Sequence, residues 1–339
     1  MHLPSPRGRL SAELTAALRH PPGFLPAIAE RTCAVVGEAA DPLADEDVQL
    51  SLYVLYELHY RGFDGVDARW DWSPDLLRAR AVVEHAVERA LRDRAQMKLV
   101  PVPRPGDVAG ALHDLVADGV GPPLSAYLAR RATLEQFREV LIHRSVLQLK
   151  AGDPWTWAIP RLTGRAKAAL ARIQIEESGR SGSQSGHALF AQTMRALSLD
   201  DAYGAYVDRV SGVALAQVNV ATLFGLHRRL RGACIGHLTA HSLTVTDDNR
   251  QYEDGLRRLG RGGEATVFDE HIDANVPPAR LGLDVCGALV EDQPQLRADV
   301  FFGMSTALVM DRLLAGDLLG AWSAGHSSLR PDITSRTVG

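Results

Sequence analysis

Apolar residues recur at spacings of three and four along most of the chain, and this periodicity constrains the fold more than any other feature of the sequence. The pattern is clearest in residues 47–63, 73–95 and 133–152. Further helices are predicted at 160–177, 187–197, 213–244, 247–260 and 294–322. Alternation with a period of two, which is typical of strands, is scarce. The sequence therefore predicts an all-α fold.

Several of these segments carry helix start signals. Ser73 followed by Pro74 is a pairing of N-cap and first-turn residues. Thr133 with Gln136 matches the pattern of a capping box. Asp247 and Asp248 are typical of a helix N-terminus, where negative charge is favoured. We therefore expect helices to begin at these three places.

The domain organisation follows from one Pro- and Gly-rich segment, VPVPRPGDVAG at 100–110, which separates two helical stretches. We assign residues 1–110 to an N-terminal helical extension, 111–325 to the main helical bundle and 326–339 to a flexible tail. A chain of 339 residues is long enough to bury a sizeable core across the first two parts.

Composition narrows the function classes. The formal net charge of -4 and a pI near 6.3 give no basic surface for nucleic acid. Apolar runs such as 300–310 are shorter than the roughly 20 residues that span a bilayer. The first ten residues lack the apolar run of a signal peptide. We expect a cytoplasmic protein that acts on a small molecule, without nucleic-acid or membrane partners; a homodimer is compatible with these features.

Polar residues inside apolar helices are the candidates for chemistry, because an uncompensated buried charge is costly. Glu177 and His187 flank a Gly/Ser-rich break, and His237 and His241 lie one helical turn apart. A third group surrounds His271 in FDEHIDANVPPARLG. Each group also has a structural explanation, as a loop, as hydrogen-bonded buried histidines or as a polar helix start. The residues alone leave both interpretations open.

Order and spacing make these motifs more specific. The runs LKAGDPWTWAIPRLTGRAKAALARIQIEESG, HALFAQTMRAL, VNVATLFGLHRRLRGACIGHL, YEDGLRRLG and FDEHIDA follow one another along the chain. In this order they resemble the actinobacterial iron-containing redox enzymes of the heme-oxygenase-like diiron oxidase and oxygenase superfamily. The likeness covers about residues 133–325, and 56–72 is similar to the N-terminal region of the same proteins. The resemblance implies a heme-oxygenase-like seven-helix bundle.

The resemblance also implies a metal site built by three core helices. Its glutamate and histidine on either side of the Gly-rich break fall on Glu177 and His187. Its last metal helix carries His-x-x-x-Asp-x-x-His, which reads here as His271, Asn275 and Pro278. Two of the three ligands on that helix are therefore replaced.

Two further ligands of the family pattern are also replaced. The glutamate of the first metal helix falls on Ala151, and the glutamate after the GHL motif falls on Ser242. Neither side chain replaces a carboxylate as an iron ligand. We therefore expect no ordinary diiron site, and we expect the four lost-ligand positions to line a pocket.

The remaining set, Glu177, His187 and His271, has the composition of the facial triad of mononuclear non-heme iron(II) oxygenases. We hypothesise one Fe(II) at this site, with His241 and Asp273 as candidate substitute ligands. The resemblance implies oxidase or oxygenase chemistry on a small amino-acid-like or fatty-acid-like molecule, in natural-product biosynthesis. Two alternatives remain: a metal-free enzyme or ligand-binding protein with no iron, and a non-catalytic partner subunit.

The proline pair predicts a change in the last metal helix. A proline inside a helix costs about 3 kcal/mol, whereas the first turn tolerates it. We therefore expect the helix with His271 to stop near Val276 and a new helix to start at Pro277 or Pro278.

Overall fold

The computed structural model describes residues 1–96, 110–111, 114–115, 124–150, 152–177, 186–263 and 278–331. Within these residues the regular secondary structure is helical and no strand occurs. This confirms the all-α prediction. None of the helices in the same ranges combines the length and the apolarity needed to cross a membrane.

The helices before residue 100 are α1 (Arg9–Leu18), α2 (Ile28–Glu38), α3 (Glu46–Glu57) and α4 (Pro74–Gln96). Those after it are α5 (Leu124–Arg130), α6 (Leu134–Gln148), α7 (Asp153–Thr156), α8 (Gly164–Glu177), α9 (Gly186–Ala196), α10 (Gly212–Leu226), α11 (Arg231–Arg258), α12 (Pro278–Asp292) and α13 (Arg297–Ser323). Short 3₁₀ turns lie at Ala68–Trp72, Ile159–Arg161, Arg228–Leu230 and Pro294–Leu296.

Two predicted helix starts are confirmed and one is wrong. Helix α4 begins at Pro74, and the capping box forms at Thr133, whose hydroxyl accepts from the Gln136 amide at 3.2 Å. Asp247 and Asp248 do not start a helix but lie within α11. The acidic pair is tolerated there because α11 packs against α12 and α13, and because Asp248 pairs with Arg144. Tertiary packing outweighs the local signal.

The helix predicted at 213–244 is divided in two. Helix α10 ends at Leu226, and a 3₁₀ turn connects it to α11. The Arg161 guanidinium donates to the carbonyl oxygens of Gly225 and Leu226, so it satisfies carbonyls that no longer have a partner within the helix. This cap comes from a distant segment, which is why the local pattern did not reveal the break.

Helix α10 lies at the centre of the bundle. Every residue from Gly212 to Gly225 is buried, and the helix contacts α3, α6, α7 and α13. Because α3 precedes residue 110, the N-terminal region packs directly on this central helix. One hydrophobic cluster contains Leu52 of α3 and Leu215 of α10. The two regions therefore share one core.

Helices α11 and α13 make the most extensive helix contact, and glycines allow it. A Cβ atom on Gly236 would overlap the carbonyl of Val300, and one on Gly303 would overlap the carbonyl of Ala233. The two backbones therefore touch at this crossing. The contact places polar residues of α11 beside Asp311 of α13.

Residues 326–331, at the start of the segment assigned to a tail, are bonded to the bundle. The Ser328 amide and hydroxyl donate to Glu139 of α6 at 2.8 and 2.6 Å. The Arg330 amide donates to the Arg209 carbonyl at 2.8 Å. Residues 332–339 lie outside the described part of the chain.

Candidate functional site

Glu177 is the last residue of α8, and the packing of that helix indicates where its carboxylate faces. One turn earlier, Gln174 donates from Nε2 to the Gly152 carbonyl at 3.2 Å and accepts from the Thr156 hydroxyl at 2.8 Å. Residues three apart share a helix face. Glu177 therefore lies on the face of α8 that meets the segment next to position 151, although Ala151 itself lies outside the described residues.

The environment of Glu177 is unfavourable for a charge. Its side chain is half-buried, and desolvation raises the pKa of the carboxyl group. Within the described part of the chain, Glu177 forms neither a hydrogen bond nor an ion pair. A desolvated carboxylate with no cation beside it is a chemically reasonable metal ligand.

Of the other two residues of the predicted triad, the structure describes only His187. His187 is the second residue of α9, a helix that contacts α8, and its side chain is exposed. His271 lies outside the described residues, as do Asp273 and Asn275. Glu177 and His187 therefore belong to neighbouring helices, and the assignment of all three as ligands stays a prediction.

The start of a new helix at Pro277 or Pro278 stays a prediction, because the structure describes α12 from Pro278 onward and residues 264–277 lie outside the described part of the chain. A residue at the start of a helix has few intrahelical neighbours, which is where proline is accommodated. The predicted stop near Val276 lies outside the described residues.

Ser242 occupies a tight helix contact. It is buried, and its hydroxyl donates to the Leu238 carbonyl one turn earlier at 3.0 Å. A Cβ atom built on Gly282 of α12 would lie 3.2 Å from the Ser242 Cβ. The close approach of α11 and α12 thus limits the space at the position where the family pattern has a glutamate.

A second iron does not fit this donor set. Position 242 offers a hydroxyl that is bonded within its own helix, and position 151 offers only a methyl group. Among the described residues, no three His, Cys, Asp or Glu side chains are arranged to hold a metal. One iron is still compatible with Glu177, His187 and His271, since His271 lies outside those residues.

Two histidines of α11 form an aromatic wall with Trp155. The ring centroids of His237 and His241 lie 6.1 and 5.6 Å from that of Trp155, and Phe224 lies 5.9 Å from His237. Desolvation lowers the pKa of His237 to about 3 and that of His241 to about 4. Both imidazoles are therefore neutral at neutral pH.

His241 also lines a small polar cavity of about 30 Å³, which we call the polar chamber. Four helices contribute to it. Its lining residues are Arg144, Leu147 and Gln148 of α6, Gln217 of α10, His241, Thr244 and Asp248 of α11, and Asp311 of α13. It lies close to two lost-ligand positions, since Gln148 precedes Ala151 by one turn and His241 precedes Ser242 directly.

The charges of the polar chamber are only loosely paired. The nearest approach of Arg144 to Asp248 is 3.6 Å, and Gln217 Nε2 donates to Asp311 Oδ1 at 3.1 Å. Desolvation raises the pKa of Asp311 to about 6, although Arg144 acts in the opposite direction. The Asp311 side chain is nevertheless exposed.

A second polar group in the interior was not foreseen from the sequence. Lys150 Nζ lies 2.7 Å from Glu57 Oε2, and the Tyr203 hydroxyl is 2.9 Å from each Glu57 oxygen. The ammonium also lies 3.7 Å from the ring centroid of Tyr60. Lys150 and Glu57 are almost fully buried. We call these four residues the Glu57–Lys150 cluster; the one sequence signal was Glu57 directly after the apolar run 52–56.

Residues 138–312, slightly more than half of the chain, match the model of a protein family described as iron-containing redox enzyme. This chain belongs to that family. The match extends from α6 to α13 and includes Glu177, His187 and the polar chamber. No curated protein matches the chain. The family belongs to the heme-oxygenase-like superfamily, and the helical architecture agrees with a heme-oxygenase-like bundle. An oxidase- or oxygenase-like activity is the class that this membership supports.

Proposed function

We propose that this iron-containing redox enzyme family member holds one Fe(II) through Glu177, His187 and His271, and oxidises a small organic molecule. The observation that carries the proposal is the state of Glu177, a half-buried carboxylate with a raised pKa and no cation beside it in the described part of the chain. A single divalent cation would compensate this charge.

Two features support one iron rather than two. The first is the replacement of the carboxylates by Ala151 and Ser242. The second is the contact between α11 and α12 at Gly282, which occupies space beside position 242. Iron(II) in a site of two histidines and one carboxylate supplies open positions at which oxygen and substrate are brought together.

The chain's own residues would shape the surroundings of that site. Trp155, Phe224 and His237 are buried and pack against one another. In this proposal they form an apolar wall that would exclude water from one side of the iron site. The neutral imidazoles add no positive charge to it. An amino-acid-like or fatty-acid-like substrate from natural-product biosynthesis, as the family resemblance implies, would lie in the space left by the lost ligands.

The exposure of His187 favours a second candidate, in which the protein binds its ligand without metal. In that case Glu177 and His187 would serve as hydrogen-bonding groups in a remodelled pocket.

Anaerobic reconstitution with ferrous iron separates these candidates. We expect about one iron per chain in the purified protein, and loss of that iron in the Glu177→Gln, His187→Ala and His271→Ala variants. Glu176→Gln is the matched control, since Glu176 is the preceding carboxylate and pairs loosely with Arg172 on its own helix. Two irons per chain would refute the ligand set, and no bound iron would support the metal-free candidate.

A further inference from the structure

Helix α2 buries little of its surface against the rest of the protein. Among its residues only Ile28 and Thr32 are buried. The helix packs against α4 and α1, and a groove of about 920 Å³ runs between α2 and α4. The described residues that line this groove belong to α2, to the turn after it and to α4. They lie on other helices than Glu177 and His187.

The floor of the groove is apolar and is built from small side chains. On the α4 side, Val82, Ala86 and Ala90 follow one another at intervals of four residues, and all three are partly exposed. On the α2 side, Val36 and Gly37 line it. Because these side chains are short, a further helix can approach the two backbones closely.

A ridge of exposed side chains borders this floor on α4. Ala81, His85, Arg89 and Asp93 also follow one another at intervals of four residues, and all four are exposed. Side chains at this spacing form the ridges that pack into the grooves of a neighbouring helix. Helix α4 therefore presents a ridge and one wall of a groove with the same spacing.

The charges at the groove restrict its occupant. Arg94 pairs with Asp41 at 2.6 Å, so these two charges are matched within the chain. Arg89 and Asp93 form no ion pair or hydrogen bond with another described residue. An acidic partner would attract Arg89 but repel Asp93, and a basic partner would do the reverse. A complementary partner carries one charge of each sign, one helical turn apart.

A second copy of the chain meets these requirements. In a two-fold symmetric dimer the same surface is used twice, so the ridge of each α4 can enter the groove of the other protomer. If the two α4 helices run antiparallel about an axis midway between positions 89 and 93, each Arg89 faces an Asp93 across the axis. We propose that the groove between α2 and α4 is the interface of a homodimer with two reciprocal Arg89–Asp93 pairs.

The first test measures the oligomeric state of the full chain by sedimentation velocity and light scattering over a concentration series. We expect a species with twice the mass of the 36.7 kDa chain. A protein that remains monomeric up to its solubility limit would overturn the proposal, since an occupant of another kind must then cover the groove.

The second test uses charge reversal. Arg89→Asp leaves two acidic residues on each ridge, and Asp93→Arg leaves two basic ones. Each variant alone should raise the dimer dissociation constant at least about tenfold, because like charges then meet twice across the axis. A mixture of the two variants should associate again as a heterodimer, because each acidic ridge then faces a basic one.

Arg165→Asp is the matched control, because Arg165 is an exposed arginine on α8 outside the groove. It should dimerise as the unaltered protein does. Circular dichroism and thermal unfolding check that every variant is folded. A dimer that tolerates both reversals, or a mixture that fails to associate, would contradict the proposed interface.

Discussion

Two polar groups between helices of the bundle, one fully buried and one partly exposed, use similar side chains in different ways. In the Glu57–Lys150 cluster, one carboxylate meets one ammonium at 2.7 Å, and Tyr203 reaches both carboxylate oxygens. In the polar chamber, two carboxylates face one guanidinium, and the closest ion pair measures 3.6 Å. In the first group each charge has a close partner of opposite sign, whereas in the second two carboxylates share one guanidinium.

The two groups differ in how well their charges are paired, and this difference predicts how each contributes to stability. A buried ion pair whose charges and hydrogen bonds are matched inside the protein holds elements together, here α3 and the turn that follows α6. Among the residues that line the polar chamber, two carboxylates share one guanidinium, and Asp311 is exposed to solvent. The two groups should therefore respond oppositely when a charge is removed.

The largest effect is expected for Lys150→Met, which leaves Glu57 buried without a cation. Removing one partner of a buried ion pair costs about 3–5 kcal/mol in the free energy of unfolding. Denaturant unfolding measures the loss. Arg165→Met, which breaks the exposed Arg165–Glu291 pair, is the control and should change stability by about 1 kcal/mol or less.

The double variant Glu57→Gln with Lys150→Met sharpens this prediction. It should recover much of the lost stability, because no unpaired charge remains buried. If the double variant is as unstable as Lys150→Met, packing rather than charge compensation explains the effect.

A smaller loss is expected for Tyr203→Phe. The hydroxyl donates to a charged, buried carboxylate, and such a hydrogen bond contributes about 1.5–3 kcal/mol. Tyr206→Phe is a matched control, because its hydroxyl accepts from an exposed amide at Asp200. Equal unfolding free energies for the two variants would show that the Tyr203 hydroxyl is not part of a compensated group.

Acid should destabilise the protein through its buried histidines. The pKa values of His143 and His237 in the folded state are about 4 and about 3, below their ordinary value of 6.5. The unfolded chain therefore takes up protons first, and stability is lost as the pH falls from about 6.5 toward 4. Thermal unfolding across this range gives the slope, and His237→Asn should make it shallower.

The smallest change is expected for Asp311→Asn at neutral pH, where removing an unmatched negative charge should leave stability unchanged or slightly higher. The sign of this change in stability depends on pH. The pKa of Asp311 in the folded state, about 6, is above its ordinary value of 3.8, so its ionisation weakens the fold as the pH rises from about 4 to 6. The variant should lack this part of the pH dependence. A large loss of stability at neutral pH would show that Asp311 is compensated after all.

Local sequence signals were reliable where the outcome depended on neighbours along the chain. The helix start at Pro74 and the capping box at Thr133 follow from the chemistry of the first turn. The division of the helix predicted at 213–244 could not be read in this way, because the Arg161 side chain that caps α10 comes from a distant segment.

In the candidate functional site, too, local sequence patterns determined some features and tertiary packing determined others. Periodicity and motif order indicated an all-α chain of a redox family, and they identified Glu177 and His187 as residues on either side of one break. Which polar side chains meet was decided by packing. The contact of α11 with α13 brings Asp248 close to Asp311. The packing of α3 and α6 on α10 brings Glu57 to Lys150, which directly follows α6. Hydrophobic spacing specifies which face of each helix is buried, but only the tertiary contact determines which charges share that interior and whether they are matched.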